Sequence, residues 1–254
     1  MTTYPNVKLN LGLNVLRKRA DGFHDIETLF IPYYGVSDIL DIDILPAGEK
    51  VTIGITGPKV DWDPAKDLTV KAYEILDADY DLPPVSIRLV KRSPVGAGLG
   101  GGSADAAFAL KMLNGMFSLG LTDAMLAEYA ARLGSDCAFF IYNRPMLGTG
   151  RGEVLAPYDV DLSAYDIRVE IPEGVAVSTR EAYGGIIPRE NRKLTDVLSL
   201  PVKEWKGSLV NDFEETVFRL HPEIAALKDR FYAEGAVYAS MSGSGSSVFG
   251  LFEK

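Results

Sequence analysis

The feature that most constrains this chain is Ser93–Ala107, SPVGAGLGGGSADAA, placed between the alternating apolar run Val85, Ile87, Leu89 and an alanine-rich helical pattern that begins near Ala104. That order reads as strand, glycine loop, helix. Glycine lacks Cβ and tolerates positive φ, so such a loop can curl its amides around an anion, and the helix that follows adds its positive end. A phosphate-bearing ligand suits it. Two familiar loops do not account for the segment. Gly96-x-Gly98-x-x-Gly101 formally matches a dinucleotide fingerprint, yet the acidic residue at the expected distance, Asp123, stands in Thr122-Asp123-Ala124, which reads as a capped helix start. The Walker frame runs from Gly96 to Ser103, but Gly102 occupies the lysine position. Protein-kinase His-Arg-Asp and Asp-Phe-Gly signatures are absent, and a flexible linker would not be flanked so tightly by a strand and a helix.

With 254 residues the chain can build one large domain or two smaller ones, and two lobes in intimate contact are expected. A net charge of −9 provides no positive field for nucleic acid or an anionic membrane, so any phosphate must be held locally. One cysteine, Cys137, excludes intrachain disulfides and suits a reducing compartment. No N-terminal apolar leader and no run of 18 apolar residues is found, so a cytoplasmic location without a membrane partner is expected.

Residues 7–15 alternate strictly, with Val7, Leu9, Leu11, Leu13 and Val15 on one face and Lys8, Asn10, Gly12 and Asn14 on the other. A period of two marks a strand. Its second face, two amides beside a lysine, suits an anionic or hydroxylated ligand and equally suits solvent. A basic turn follows, Arg17 to His24, around Asp21-Gly22. Strands are expected over 26–33, 39–45, 51–55 and 85–90, with a helix over 67–79. Beyond the loop, helices are expected over 104–117 and 122–133, the second closed by Gly134. Asp136, set against Cys137-Ala138-Phe139-Phe140-Ile141, is a carboxylate that its neighbours tend to bury, or else Ser135 or Asp136 caps a helix. Later strands are expected over 146–155, 167–171, 237–241 and 248–252, and helices near Thr179 and over 211–220 and 222–233. Between the last two strands, Ser242-Gly243-Ser244-Gly245-Ser246 forms a second small-residue loop that could line the phosphate site or only connect a hairpin.

Taken together these residues resemble the GHMP kinases. Pro94-Val95-Gly96-Ala97-Gly98-Leu99-Gly100-Gly101-Gly102-Ser103-Ala104 fits that superfamily's phosphate loop, and KLNLGL at 8–13, RADGFH at 19–24, LGSD at 133–136 and SGSGSSVF at 242–249 extend the likeness over nearly the whole chain. The resemblance implies an α+β, two-lobed fold: an N-terminal lobe over 1–155 with a left-handed βαβ unit, and a ferredoxin-like C-terminal lobe over 156–254. It implies transfer of the γ-phosphoryl of ATP, with Mg²⁺, to an alcohol. Within the superfamily the likeness is greatest to members that act on the 2-hydroxyl of cytidine-diphosphate-linked methylerythritol. Homoserine or mevalonate kinases, or a catalytically silent nucleotide-binding regulator, are the alternatives. Lys8 and Asp136 become the catalytic pair. Residues 94–104 hold ATP, with Asp67 and Lys91 near the adenosine and the Ser103 hydroxyl near the metal. Asn10, Phe23, His24, Thr179 and Tyr183 face the substrate. A monomer or weak homodimer is expected. Asp67 stands where the family commonly has asparagine.

Overall fold

The computed structural model describes residues 1–58, 62–190 and 192–254. In chain order the first elements are β1 (Thr2–Thr3), β2 (Asn6–Lys18), β3 (His24–Ser37), β4 (Ile39–Ile44), β5 (Val51–Thr56), α1 (Leu68–Tyr80) and β6 (Val85–Val90). They are followed by α2 (Gly101–Met116), α3 (Asp123–Leu133), α4 (Cys137–Tyr142), β7 (Met146–Thr149), β8 (Val154–Pro157) and β9 (Tyr165–Glu170). The remainder are α5 (Thr179–Gly184), α6 (Leu194–Leu198), α7 (Phe213–Leu220), α8 (Pro222–Ala233), β10 (Tyr238–Met241) and β11 (Val248–Glu253). The architecture is α+β, in two compact units. One comprises residues 1–8, 32–95 and 100–144; the other comprises 9–31, 96–99 and 145–254. The glycine loop is therefore divided between them, Gly96–Leu99 belonging to the second unit and Gly100 onward to the first.

The first unit carries a sheet in the order β1-β4-β6-β5. In β6, Val85, Ile87 and Leu89 are buried while Arg88 is exposed, as the alternation predicts. Each such apolar side chain withdrawn from water contributes roughly 1.5–3 kcal/mol. β4 runs antiparallel to β6, with Ile42 opposite Ile87, whereas β5 runs parallel to it, with Ile53 opposite Ile87. A parallel pair needs a crossover, and α1 supplies it. Asp67 starts that helix by accepting the Thr69 N–H at 2.9 Å. Against α1 packs α2, whose Ala104, Ala106, Ala107 and Ala109 are fully buried. Alanine suits this position because it favours the helix and lets a neighbour approach closely.

The second unit holds the antiparallel sheet β10-β11-β9 and most of the sheet β2-β3-β7-β8. Its core gathers Leu13, Val15 and Ile26 with Phe213, Val217, Ile224, Phe231, Met241 and Val248, so α7 and α8 bury their apolar faces among the strands. The stretch expected as one strand over 146–155 is a hairpin of β7 and β8, with Met146 opposite Pro157. Gly150 at φ 68° and Gly152 at φ 109° make that turn. Among the described residues no helix is long and apolar enough to cross a membrane.

Candidate active site

Gly96, Gly98 and Gly100 stand at φ 72°, 76° and 73°, with Ala97 and Leu99 between them on the ordinary side of the Ramachandran map. Alternating hand along a backbone turns successive amides to one concave side, which is the geometry of an anion nest. Gly100 then caps α2 with no side-chain hydrogen bond. The helix begins at Gly101, three residues before the alanine pattern suggests, so Gly101, Gly102 and Ser103 form its first turn and their N–H groups have no carbonyl within the helix to bind. A Cβ on Gly102 would meet no atom within 4 Å, which is open space in front of that turn. On Gly101 it would lie 2.2 Å from Ser93 Oγ, so this glycine is required by close packing beneath the loop.

Beside the last loop glycine lies Lys8. A Cβ on Gly100 would come within 3.3 Å of Lys8 Cε and 3.2 Å of the Phe140 ring. The Lys8 ammonium is 3.5 Å from Asp136 Oδ2, with the lysine side chain 3% exposed and the aspartate 29%. Burial lowers the Lys8 pKa, and the charge and hydrogen bond of Asp136 oppose that shift. The burial expected at Asp136 falls one residue later, on Cys137–Ile141, where α4 is apolar on every side. Asp136 precedes α4 with φ −87° and ψ −12° and makes no side-chain cap bond, so its carboxylate is turned to Lys8 rather than spent on the helix. Ser103 hydrogen-bonds the Cys137 thiol, whose pKa is pushed up to about 12 by burial.

The polar face of β2 is not solvated. Lys8, Asn10 and Asn14 are at most 4% exposed, as well covered as the apolar face. Asn10 donates from Nδ2 to Thr28 Oγ1 at 3.0 Å, and its N–H donates to Ser242 Oγ at 3.2 Å. The C-terminal small-residue loop thus does more than join two strands. Ser247 donates through both N–H and Oγ to the Ala97 carbonyl at 3.1 and 2.7 Å, and Ser242 Oγ lies 3.2 Å from the Gly98 carbonyl oxygen.

Sequence patterns alone did not reveal a second charged cluster under α2. Asp38, Lys91, Ser93 and Asp105 are all at most 3% exposed. The Lys91 ammonium binds Asp38 Oδ2 and, at 2.6 Å, Asp105 Oδ2; Asp38 also accepts the Ser93 hydroxyl at 2.6 Å and the N–H groups of Arg92 and Ser93 at 2.6 and 2.7 Å. Burial, with Asp38 nearby, pushes Asp105 up to about 8 against the pull of Lys91. The one sequence signal was Asp105 itself, an acid among alanines on a helix face that has to be buried. The carboxylate of Asp67 is likewise engaged inside the unit, accepting Thr69 N and Oγ1 with one oxygen and the Trp62 indole N–H at 3.0 Å with the other.

In the second unit His24 stacks on Tyr183, ring centroids 4.8 Å apart and 20° from parallel, and Tyr183 meets Phe213 edge-on at 4.7 Å. Phe23 is 55% exposed, too exposed for a core residue, and the Arg151 guanidinium lies 5.0 Å from its ring centre. Burial and the Lys18 charge lower the His24 pKa, which favours the neutral ring. Thr179 is exposed at the first turn of α5, whose cap is Ser178. A cavity of about 480 Å³ lies at the turn Arg17–Asp21, where Arg17 and Arg19 are both paired with Asp25.

Comparison with known proteins bears on this arrangement. Residues 67–144 match the model of the GHMP kinases N terminal domain, and residues 202–254 match the GHMP kinases C terminal model. The chain is 49% identical to the 4-diphosphocytidyl-2-C-methyl-D-erythritol kinase of Bacteroides fragilis, over 99% of this chain and 92% of that one. It is 36% identical to the enzyme of the same name from Nitratidesulfovibrio vulgaris, over 100% of this chain and 91% of that one. Among solved structures, a 4-(cytidine 5'-diphospho)-2C-methyl-D-erythritol kinase superposes with a TM-score of 0.81 at 32% identity, covering 99% of this chain and 90% of that one. A homoserine kinase from Cytophaga hutchinsonii shares the fold, at a TM-score of 0.73 and 17% identity, over 98% and 85% of the two chains.

Proposed function

The chain belongs to the 4-diphosphocytidyl-2-C-methyl-D-erythritol kinases of the GHMP family, ATP-dependent small-molecule kinases of non-mevalonate isoprenoid precursor synthesis, and from that membership we propose both the reaction and the residues that carry it. The acceptor is the 2-hydroxyl of 4-(cytidine 5'-diphospho)-2-C-methyl-D-erythritol, and the products are its 2-phosphate and ADP. The observation that carries this reading is the Lys8–Asp136 pair beside the last glycine of an alternating-hand loop. Phosphoryl transfer asks for positioning and charge stabilisation more than covalent chemistry. Asp136 accepts the hydroxyl proton, and Lys8 orients that carboxylate. Amides of residues 96–103 and the positive end of α2 take phosphate charge. Lys91 and Asp67, whose charged groups are engaged inside the unit, act near the adenosine by shape and backbone.

No group of three or more His, Cys, Asp or Glu able to hold a metal ion occurs among the described residues. Mg²⁺ arriving with ATP needs no such group, since this ion keeps several waters and binds through phosphates and one or two protein oxygens. Ser103 would supply a hydroxyl, and the ion would neutralise phosphate charge. The lobes 1–155 and 156–254 belong to this proposal, whereas the compact units group residues 9–31, 96–99 and 145–155 with the C-terminal part of the chain. A monomer or weak homodimer is part of the same reading.

Purified protein given ATP and Mg²⁺ should release ADP with the cytidine-diphosphate-linked alcohol and not with homoserine or mevalonate. ADP release with either of the latter, and none with the former, would reassign the substrate. Gly102→Val should weaken ATP binding by about tenfold or more at a nearly unchanged melting temperature, because its Cβ enters the open space before α2 with no protein atom within 4 Å. Gly101→Val is the poorer probe, since it displaces Ser93. Parental ATP affinity in folded Gly102→Val would remove the phosphate-loop assignment.

A further inference from the structure

Asn211 belongs to no motif that points to a ligand, yet every hydrogen-bonding group of its side chain is used. The periodicity of 211–220 suggests a helix from Asn211, whereas α7 starts at Phe213 and Asn211 is instead bridged to Leu13 of β2. Leu13 N–H donates to the Val210 carbonyl and Asp212 N–H to the Leu13 carbonyl, both at 2.9 Å. The side chain, 2% exposed, donates from Nδ2 to the carbonyls of Met241 and Gly243, each at 2.8 Å, and Oδ1 accepts the Phe213 N–H at 3.0 Å. Only a short primary amide offers two donors and an acceptor in one plane at this reach.

The turn held in this way is the one that touches the glycine loop. Ser242 Oγ accepts the Asn10 N–H at 3.2 Å and faces both Asn10 Oδ1 and the Gly98 carbonyl oxygen, at 3.3 and 3.2 Å. Its single proton can serve one of these oxygens at a time, so the hydroxyl is a node between β2 and the loop. Ser247 binds the Ala97 carbonyl twice. In a trans peptide the C=O and the following N–H point in opposite directions. Binding the Gly98 carbonyl at Ser242 therefore turns the Leu99 N–H away from the C-terminal loop, and the Ala97 carbonyl sets the next plane in the same sense. A Cβ on Gly98 would lie 2.1 Å from the Ser242 carbonyl oxygen, so the two loops are in close backbone contact.

We propose that Asn211 is a positioning residue for phosphoryl transfer, setting the Ser242–Gly243 turn and, through the Ser242 hydroxyl, both the peptide planes of the glycine loop and the side chain of Asn10. This rests on the reading that the loop holds the phosphates of ATP. Asn211→Asp keeps size and the acceptor to Phe213 but sets a carboxylate oxygen against two carbonyl oxygens. In the full-length chain it should raise the Kd of MgATP, measured by titration calorimetry, by about ten- to a hundredfold with circular dichroism unchanged. Ser242→Ala removes one hydroxyl and adds no bulk. It should raise that Kd and the KM for the cytidylyl alcohol by about three- to tenfold each, with the melting temperature nearly parental. A purely structural role would move the melting temperature and leave Kd and KM alone. Parental Kd and KM in folded Asn211→Asp would overturn the proposal. If that variant does not fold, Ser242→Ala decides, and parental values there would overturn it. Gly102→Val separates the two levels: loss of MgATP in Gly102→Val with parental affinity in the other two variants rejects only the role of Asn211, whereas parental affinity in Gly102→Val rejects the loop reading itself.

Discussion

Asp136→Asn should lower kcat by about 10²–10⁴-fold while KM for both substrates stays within a few-fold of the parent, since the amide keeps the shape of the carboxylate and cannot take a proton. The geometry makes this a clean substitution. Asp136 makes no cap bond to α4, so its loss leaves no helix terminus uncompensated. Lys8 pays the burial cost of the pair, being 3% exposed beside an aspartate at 29%. Because burial already lowers the Lys8 pKa and Asp136 opposes that shift, removing the carboxylate charge should lower it further. Lys8→Met should also reduce kcat, through misorientation of Asp136, and the double variant should show far less than the sum of the two losses. Steady-state kinetics on the three variants checks this. A kcat within a few-fold of the parent in Asp136→Asn would require the base to be sought elsewhere.

The second large effect is discrimination between substrates. The parent should favour cytidine-diphosphate-linked methylerythritol over methylerythritol phosphate by as much as ~10⁴-fold in kcat/KM, because a site built to hydrogen-bond one partner leaves its polar groups unpaired with an analogue that lacks it. His24, Phe23 and Tyr183 suit a planar base. The neutral imidazole that burial and Lys18 favour carries one donor and one acceptor, enough to read the edge of a base. Phe23 presents an exposed ring, and the stack of His24 on Tyr183, braced by Phe213, fixes the orientation of the imidazole. His24→Ala should erode the preference while leaving the KM for ATP unchanged. Equal efficiency on both compounds in the parent would end the cytidine reading.

What the sequence determined by itself is local. Val85–Ala107 could be read as strand, loop and helix because each step depends on near neighbours: alternation for β6, glycines for the left-handed positions, alanines for α2. The Thr122 cap of α3 is legible for the same reason, its hydroxyl accepting the Met125 N–H three residues on. Tertiary structure decided everything that depends on what lies opposite. Periodicity tells which residues share a face and not what covers it, so the amide and lysine face of β2 could be solvated or covered until its burial was seen. Asp136 carries no sign in its neighbourhood that it faces Lys8 rather than capping α4. Nor do Asp38, Lys91 and Asp105 announce one another, since a buried ion cluster is assembled by strands and helices far apart in the chain. Asn211 shows the limit most plainly. Its helical pattern is genuine, but the bridge to Leu13 and two carbonyls of a distant turn satisfy its backbone and side chain better than one more helical residue would, and that competition is settled only when the chain has folded.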